Sequence, residues 1–411
     1  MGSKPVKIHS RGSEFPAAFR YWNYPYSRRD FPRYLMASPI CILSPTMTIR
    51  PKAPLRIAQV SPLYESVPPK LYGGTERVVS YLTEELVALG HDVTLFASGD
   101  SKTAARLIPC CPMSLRLNPD CIDQLAHHYV MLEEIFARAE EFDIIHFHID
   151  YLHFPISRVT GIPQLTTLHG RLDMGDLPPL YHKYPDMPVV SISRAQRKPL
   201  PFANWVGNIY HGLPAGALCL GDGSGKYLAF LGRISPEKRV DRAIEIALKV
   251  GMPLKIAAKI DRVDREYFET RIEPLLNNPN IEYIGEITED QKSEFLGNAY
   301  AYLFPIDWPE PFGLTMIEAM ACGTPTIAFK CGSVPELIAH GTSGFIVDNI
   351  EDAIKAVSRV ADLDRAACRQ AFEMRFTGSR MAKDYVKLYE SMLSIRALSV
   401  ETSEVDTFLT Q

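Results

Sequence analysis

The chain has 411 residues, enough for two domains with a core each, and its 46% apolar and 22% charged residues are the balance of a globular protein. A net charge of −4 argues against a dedicated nucleic-acid binder, which would carry a clear basic excess. No apolar run reaches the roughly 18 residues of a membrane-spanning helix, and no secretory signal is convincing. The eight scattered cysteines contain no C-x-x-C pair, so reduced thiols in a cytosolic protein are expected, not a disulfide framework or a zinc site.

The stretch 1–53 stands apart, with nine basic residues against two acidic ones and aromatics interleaved with prolines (Phe19-Arg20-Tyr21-Trp22-Asn23-Tyr24-Pro25-Tyr26). It reads as a disordered extension, or as the product of an early start codon with Met36 or Met47 as the true beginning. The competing reading is a basic-aromatic arm that touches an anionic membrane surface or an acidic partner.

From Leu55 an alternating α/β pattern begins. Leu55 to Val60 is a buried strand, Gly73-Gly74 opens a helix carrying Val78, Val79, Leu82, Leu86, Val87 and Leu89 at helical spacing, and Gly90 stops it. His91 to Phe96 is the next strand, so the unit is βαβ and the sheet parallel. Gly73 and Gly74 expose backbone N–H groups to a diphosphate or an acceptor. The G-x-G-x-x-G fingerprint is absent, which weakens a dehydrogenase reading. Asp143 to Asp150 is a strand whose His146, His148 and Asp150 share a face; as a metal half-site the pattern is weak, and no metal is expected. Leu165 to Gly170 ends in His169, at a carboxyl edge where ligands bind. Val189 to Ser193 and Trp205 to Gly212 complete the first domain (54–213).

The glycine- and proline-rich segment 214–226 reads as a linker to a second domain over 227–375. Tyr227 to Ile234 is a strand, and Ser235-Pro236-Glu237 supplies an N-cap, a first-turn proline and an acid for a helix flanked by Arg233 and Lys238. Two cations at a helix start form a diphosphate clamp. Leu254 to Ala257 is a strand, a helix is expected from Asp264 to Leu276, Ile281 to Gly285 is a strand, and Thr288 with Gln291 makes a capping box. Ala301 to Pro305 is a strand leading into Trp308–Thr326 (WPEPFGLTMIEAMACGTPT). There Pro309 and Pro311 keep Glu310 in an extended loop, Phe312-Gly313-Leu314 opens a helix, and Glu318 lies on it. Each carboxylate can accept hydrogen bonds from sugar or ribose hydroxyls. The segment 376–398 forms a last helix, and the residues from Ser399 look frayed.

EPFGLTMIEAMACGTPTIA resembles the E-x7-E region of retaining glycosyltransferases of family 4, and Gly-Arg-Ile-Ser-Pro-Glu-Lys resembles their G-R-x5-K motif, with four residues between the arginine and the lysine. One departure is Arg239, where glycine usually follows the lysine. The resemblance covers roughly Leu55 to Leu393 and implies the α/β GT-B fold: two Rossmann-like parallel-sheet domains facing a central cleft, with the C-terminal helix crossing back to the first domain.

It further implies transfer of a hexose from a nucleotide diphospho-sugar, UDP-glucose-type favoured and GDP-mannose next, to a hydroxyl acceptor (sugar, lipid-linked sugar or small molecule). Configuration would be retained, with no metal and no cofactor. His169 would lie beside the anomeric centre, and Gly285 near the base. Glu310 would hold the sugar and Glu318 the ribose, while Arg233, Lys238 and the backbone at Phe312, Gly313 and Leu314 would stabilise the departing diphosphate. A cytoplasmic protein, in peripheral contact with the inner membrane surface at most, goes with this reading. The alternatives are a GT-B-like epimerase and an inactive nucleotide-sugar binding protein. A phosphorylase-like protein would need a pyridoxal-phosphate lysine, and none is found.

Overall fold

The computed structural model describes residues 53–70 and 73–408, with side chains to 396. All but the last residue of the basic stretch 1–53 therefore lies outside the described residues. Among the described residues no helix is long and apolar enough to cross a membrane.

Two parallel sheets carry the molecule. The first holds β1 (Arg56–Val60), β2 (Asp92–Ser98), β3 (Arg106–Cys111), β4 (Ile144–Phe147), β5 (Gln164–Thr167), β6 (Val189–Ser191) and β7 (Trp205–Asn208), in the order β3-β2-β1-β4-β5-β6-β7. The second holds β8 (Leu228–Arg233), β9 (Leu254–Lys259), β10 (Ile281–Gly285), β11 (Ala301–Phe304), β12 (Thr326–Phe329) and β13 (Gly344–Val347), in the order β10-β9-β8-β11-β12-β13. All pairings are parallel, as the βαβ reading expects. Central strands such as β1, β4 and β11 are buried along nearly their whole length, because helices cover both faces. Chain order reverses between β1 and β4, and again between β8 and β11. Ligands bind outside the carboxyl ends of strands at such switch points.

The helix Gly378–Phe408 buries Met381, Ala382, Tyr385 and Tyr389 against Ile57, Val78, Leu82 and Leu86. The last helix thus returns to the first lobe, and it continues past Ser399, where fraying was expected. The chain passes between the lobes twice at one spot. Leu213 bridges Thr377, and a Cβ on Gly212 would sit 2.3 Å from the Thr377 carbonyl oxygen. Beyond that crossing the glycine-rich segment is zipped to the second lobe: Gly221 donates to the Cys322 carbonyl, Gly223 to Gly297 and Gly225 to Asn298.

Two expected helices differ. After Ser235 the chain makes only a 3-10 turn, Pro236–Lys238, and the helix proper is Val240–Val250. Arg239 between them is left-handed at φ 53°, a conformation that favours glycine, so the usual glycine after the lysine has a backbone reason. The helix expected from Asp264 is broken into short 3-10, α, π and 3-10 pieces up to Asn277. Pro274 provides the cause: its ring crowds the carbonyl four residues earlier and it donates no N–H, so the preceding turn widens.

Candidate active site

The carboxyl edges of both sheets line one cleft of about 620 Å³. Of the residues singled out in the sequence, His169, Arg233, Lys238, Glu310, Phe312, Gly313, Leu314, Glu318, Gly73 and Gly74 all line it. Gly285 does not. It ends β10 at φ 80° beside a register shift, and its successors Glu286 and Ile287 reach the cleft instead.

The second-lobe wall is built on the loop after β11. Ser333 donates its amide to the Glu310 carbonyl (3.0 Å) and its hydroxyl to the Phe312 carbonyl (2.7 Å), while Ser193 of the first lobe donates to the Pro311 carbonyl (2.6 Å). Gly313 stands at φ 83° as the N-cap of the helix Leu314–Ala321 without any side-chain cap, so first-turn N–H groups are left for a ligand. Gly332 backs the loop at φ 55°, where a Cβ would lie 2.4 Å from both the Glu310 amide nitrogen and its carbonyl oxygen. Gly332→Ala is expected to cost on the order of 2 kcal/mol, because a left-handed alanine and a backbone collision coincide. A lowered unfolding temperature with weakened ligand response would register it, and an unchanged melting curve would refute it.

The carboxylates and cations are already committed to one another. Glu310 accepts from Lys238 Nζ and, at 3.0 Å, from the Trp308 indole, while Lys238 also lies 5.1 Å over the Trp308 ring. Arg233 pairs with Glu237 and lies 3.4 Å from both Asp261 and Asp264. An incoming anion therefore competes with carboxylates for both cations. Arg239, one residue on, is tied to Asp241 (2.8 Å) and Asp307 (2.8 Å).

Glu318 is not the solvated helix glutamate that its spacing alone would allow. It is 2% exposed, and one carboxylate oxygen takes Lys292 Nζ at 2.7 Å. The other, Oε2, has no hydrogen-bond partner among the described residues. Lys292 continues to Glu289 (2.9 Å), which pairs with Arg77 (2.7 Å) on the first lobe's helix Gly74–Ala88. Lys292, Glu289 and Arg77 were missed in the sequence. They belong to no motif there, and only the fold brings 77, 289 and 318 together.

A histidine cluster floors the first lobe. His146 bonds Tyr389 and Thr167 (both 2.7 Å), His148 bonds Gln59 (2.8 Å) and His169 (2.9 Å), and the His211 ring stacks on His169 at 5.1 Å. Both ring nitrogens of His146 and of His148 are engaged in these bonds. Burial holds His146, His148 and His211 far below the ordinary histidine value and His169 at about 3. These rings are neutral across the physiological range.

Residues 72–209 match the family model described as Glycosyltransferase Family 4, and residues 221–372 the model described as Glycosyl transferases group 1. The chain belongs to glycosyltransferase family 4. Over 152 residues the family 4 chain is 34% identical to D-inositol 3-phosphate glycosyltransferase of Mycolicibacterium smegmatis, covering 36% of this chain and 35% of that protein. The chain spans less than half the length of the first curated relatives it matches, 46% and 35%.

Two solved structures carry the likeness across both lobes. Sucrose-phosphate synthase of Thermosynechococcus elongatus superposes with a TM-score of 0.67 at 18% identity, over 82% of this chain and 99% of that one. HepE of Anabaena, in complex with UDP-glucose, does so with a TM-score of 0.63 at 16% identity, over 82% and 100%. At these identities the likeness speaks for the fold, which is GT-B.

Proposed function

We propose that this family 4 chain transfers a hexose from a nucleotide diphospho-sugar, UDP-glucose-type before GDP-mannose, to a hydroxyl acceptor with retention of configuration and without a metal. The observation that carries the reading is the buried Glu318 Oε2, which has no hydrogen-bond partner among the described residues, on a side chain that lines the cleft together with Arg233, Lys238 and the open N-terminus of Leu314–Ala321. A buried carboxylate oxygen without a donor is costly, and a ribose hydroxyl supplies that donor. The neighbouring cations and helix N–H groups suit the diphosphate. Crystallisation of HepE with UDP-glucose adds support for the donor class.

In this mechanism the bond between the anomeric carbon and the phosphate oxygen breaks while the acceptor oxygen bonds to the same carbon from the same face. The acceptor's proton passes to the leaving phosphate. Lys238 exchanges Glu310 for the developing phosphate charge, and Glu310, released from its ion pair, takes sugar hydroxyls. Arg233 makes the same exchange against Glu237, Asp261 and Asp264. Stabilisation of this kind acts where charge develops and is the largest single contribution in such reactions.

Thermal unfolding against a panel of UDP, GDP, ADP and their sugars tests the donor. A ligand at 100 times its Kd adds about 2.7 kcal/mol of apparent stability. We expect the UDP series to stabilise most. No response to any member would sink the transferase reading and favour a degenerate GT-B protein, whereas an altered donor sugar without transfer would point to the epimerase.

A further inference from the structure

We propose, resting on the transferase reading, that Asp150 receives a hydroxyl of the acceptor and that the part of the acceptor entering the cleft is an uncharged sugar or polyol. Asp150 follows β4 at the first sheet's switch point and lines the cleft, with its backbone in the left-handed region at φ 53°. Among the described residues it makes no hydrogen bond or ion pair, and its side chain is exposed at the cleft wall. Tyr64 and Tyr151 line the same end with rings 36% and 37% exposed, faces on which a sugar ring can lie.

Charge decides the class. Among the described residues the first lobe's share of the cleft carries two cations, Arg77 and Arg116, and each is already ion-paired, to Glu289 at 2.7 Å and to buried Glu65 at 2.8 Å. Against them stand Asp150 and Glu76, neither of which forms an ion pair among the described residues. The histidines on this wall, His128, His148, His169 and His211, are pushed down by burial and add no charge. A phosphate or carboxylate on the acceptor would meet two carboxylates across cations that are already neutralised. A hydroxyl instead finds an acceptor-only group with its lone pairs available. Burial, followed by Asp150 and Glu76, raises the Tyr64 phenol, so that group stays protonated as a further donor. Desolvation by the cleft raises the Asp150 carboxyl to about 6, and the group, exposed to solvent, is ionised at pH 7.5.

The experiment uses the full chain with the donor that stabilises it best. Glucose, fructose, maltose and myo-inositol are offered as acceptors beside glucose 6-phosphate, fructose 6-phosphate and an inositol phosphate. At least one uncharged member is expected to be glycosylated, with its phosphorylated counterpart at least tenfold worse in kcat/KM. Asp150→Asn keeps the left-handed backbone, which asparagine tolerates, and is expected to raise the acceptor KM at least tenfold while the donor-induced thermal shift is kept. Preference for the phosphorylated acceptors, or wild-type acceptor KM in Asp150→Asn, overturns the inference. So does failure of every uncharged member while the donor is still bound and slowly hydrolysed, an outcome that leaves the transferase reading standing. Absence of any donor binding removes both.

Discussion

Replacing Lys238 with alanine is expected to lower the rate of sugar transfer by about 10²- to 10³-fold, the usual loss when one stabilising contact to a developing anion is removed. The chain should still fold, because Lys238 sits at the cleft wall in a short 3-10 turn none of whose residues is buried. Its loss acts twice. In the proposed reaction the leaving diphosphate loses a cation, and Glu310, whose side chain is only 11% exposed, keeps only the Trp308 indole of the two side-chain donors described. The two effects separate in a double-mutant cycle with Glu310→Gln. If Lys238 serves Glu310 alone, the double variant is no worse than Glu310→Gln. If it also serves the diphosphate, nucleoside diphosphate binding falls further in the double variant. A Lys238→Ala enzyme with wild-type kcat defeats the assigned role.

Mild acid is expected to destabilise this protein steeply, beginning near pH 6.5. His146, His148, His153 and His211 are held far below their ordinary value by burial, and His169 is held at about 3. Once unfolded, each takes up a proton near 6.5, so below that pH the unfolded state binds more protons and stability falls with pH. The contribution is complete above pH 6.5 and is lost as the pH drops towards the folded values. Each histidine that stays neutral costs up to about 1.4 kcal/mol per pH unit. Asp150 works the other way, since its carboxyl is raised to about 6 and the folded state takes up that proton first; Glu76, Glu65, Glu85 and Asp264, also raised by burial, act in the same sense at lower pH. Five histidines outweigh them. Urea midpoints at pH 7.5 and 5.5 should therefore differ widely, and a His153→Asn variant should flatten the dependence by about one proton. Equal midpoints would refute the argument.

Much of this was legible in the chain because the informative residues are local. Pro309 and Pro311 hold Glu310 in a loop, Gly313 marks the helix start, and the Thr288–Gln291 capping box forms as its spacing suggests. Parallel strands buried on both faces, such as β1 and β11, announce themselves as apolar runs. β3 was missed because RLIPCC does not alternate and contains Pro109, which an edge strand tolerates and a central one does not. The site's supporting shell was illegible for another reason. Gln59, His148, Arg77 and Lys292 act through partners 89, 21, 212 and 26 residues away, and only the folded topology makes them neighbours. Arg233 and Lys238 were expected as cations awaiting phosphate, and the structure shows them resting on carboxylates, Arg233 on Glu237, Asp261 and Asp264 and Lys238 on Glu310.

The doubled crossing at Leu213 and Thr377 has a mechanical side. Arg375 grips the Glu336 and Leu337 carbonyls of the second lobe, whereas Arg380 grips the Tyr210 and His211 carbonyls of the first, at 2.7 and 3.0 Å. The compliant span between these two anchors is only a few residues long, and its twin lies beside it. Two short pins on one line behave as a door hinge, turning freely about that line and resisting twist. A swing about that line is expected to return Lys238 and Glu318 to the same register against Gly73 and His169, so that in the proposed reaction alignment of the groups is set by a joint on the cleft's rim.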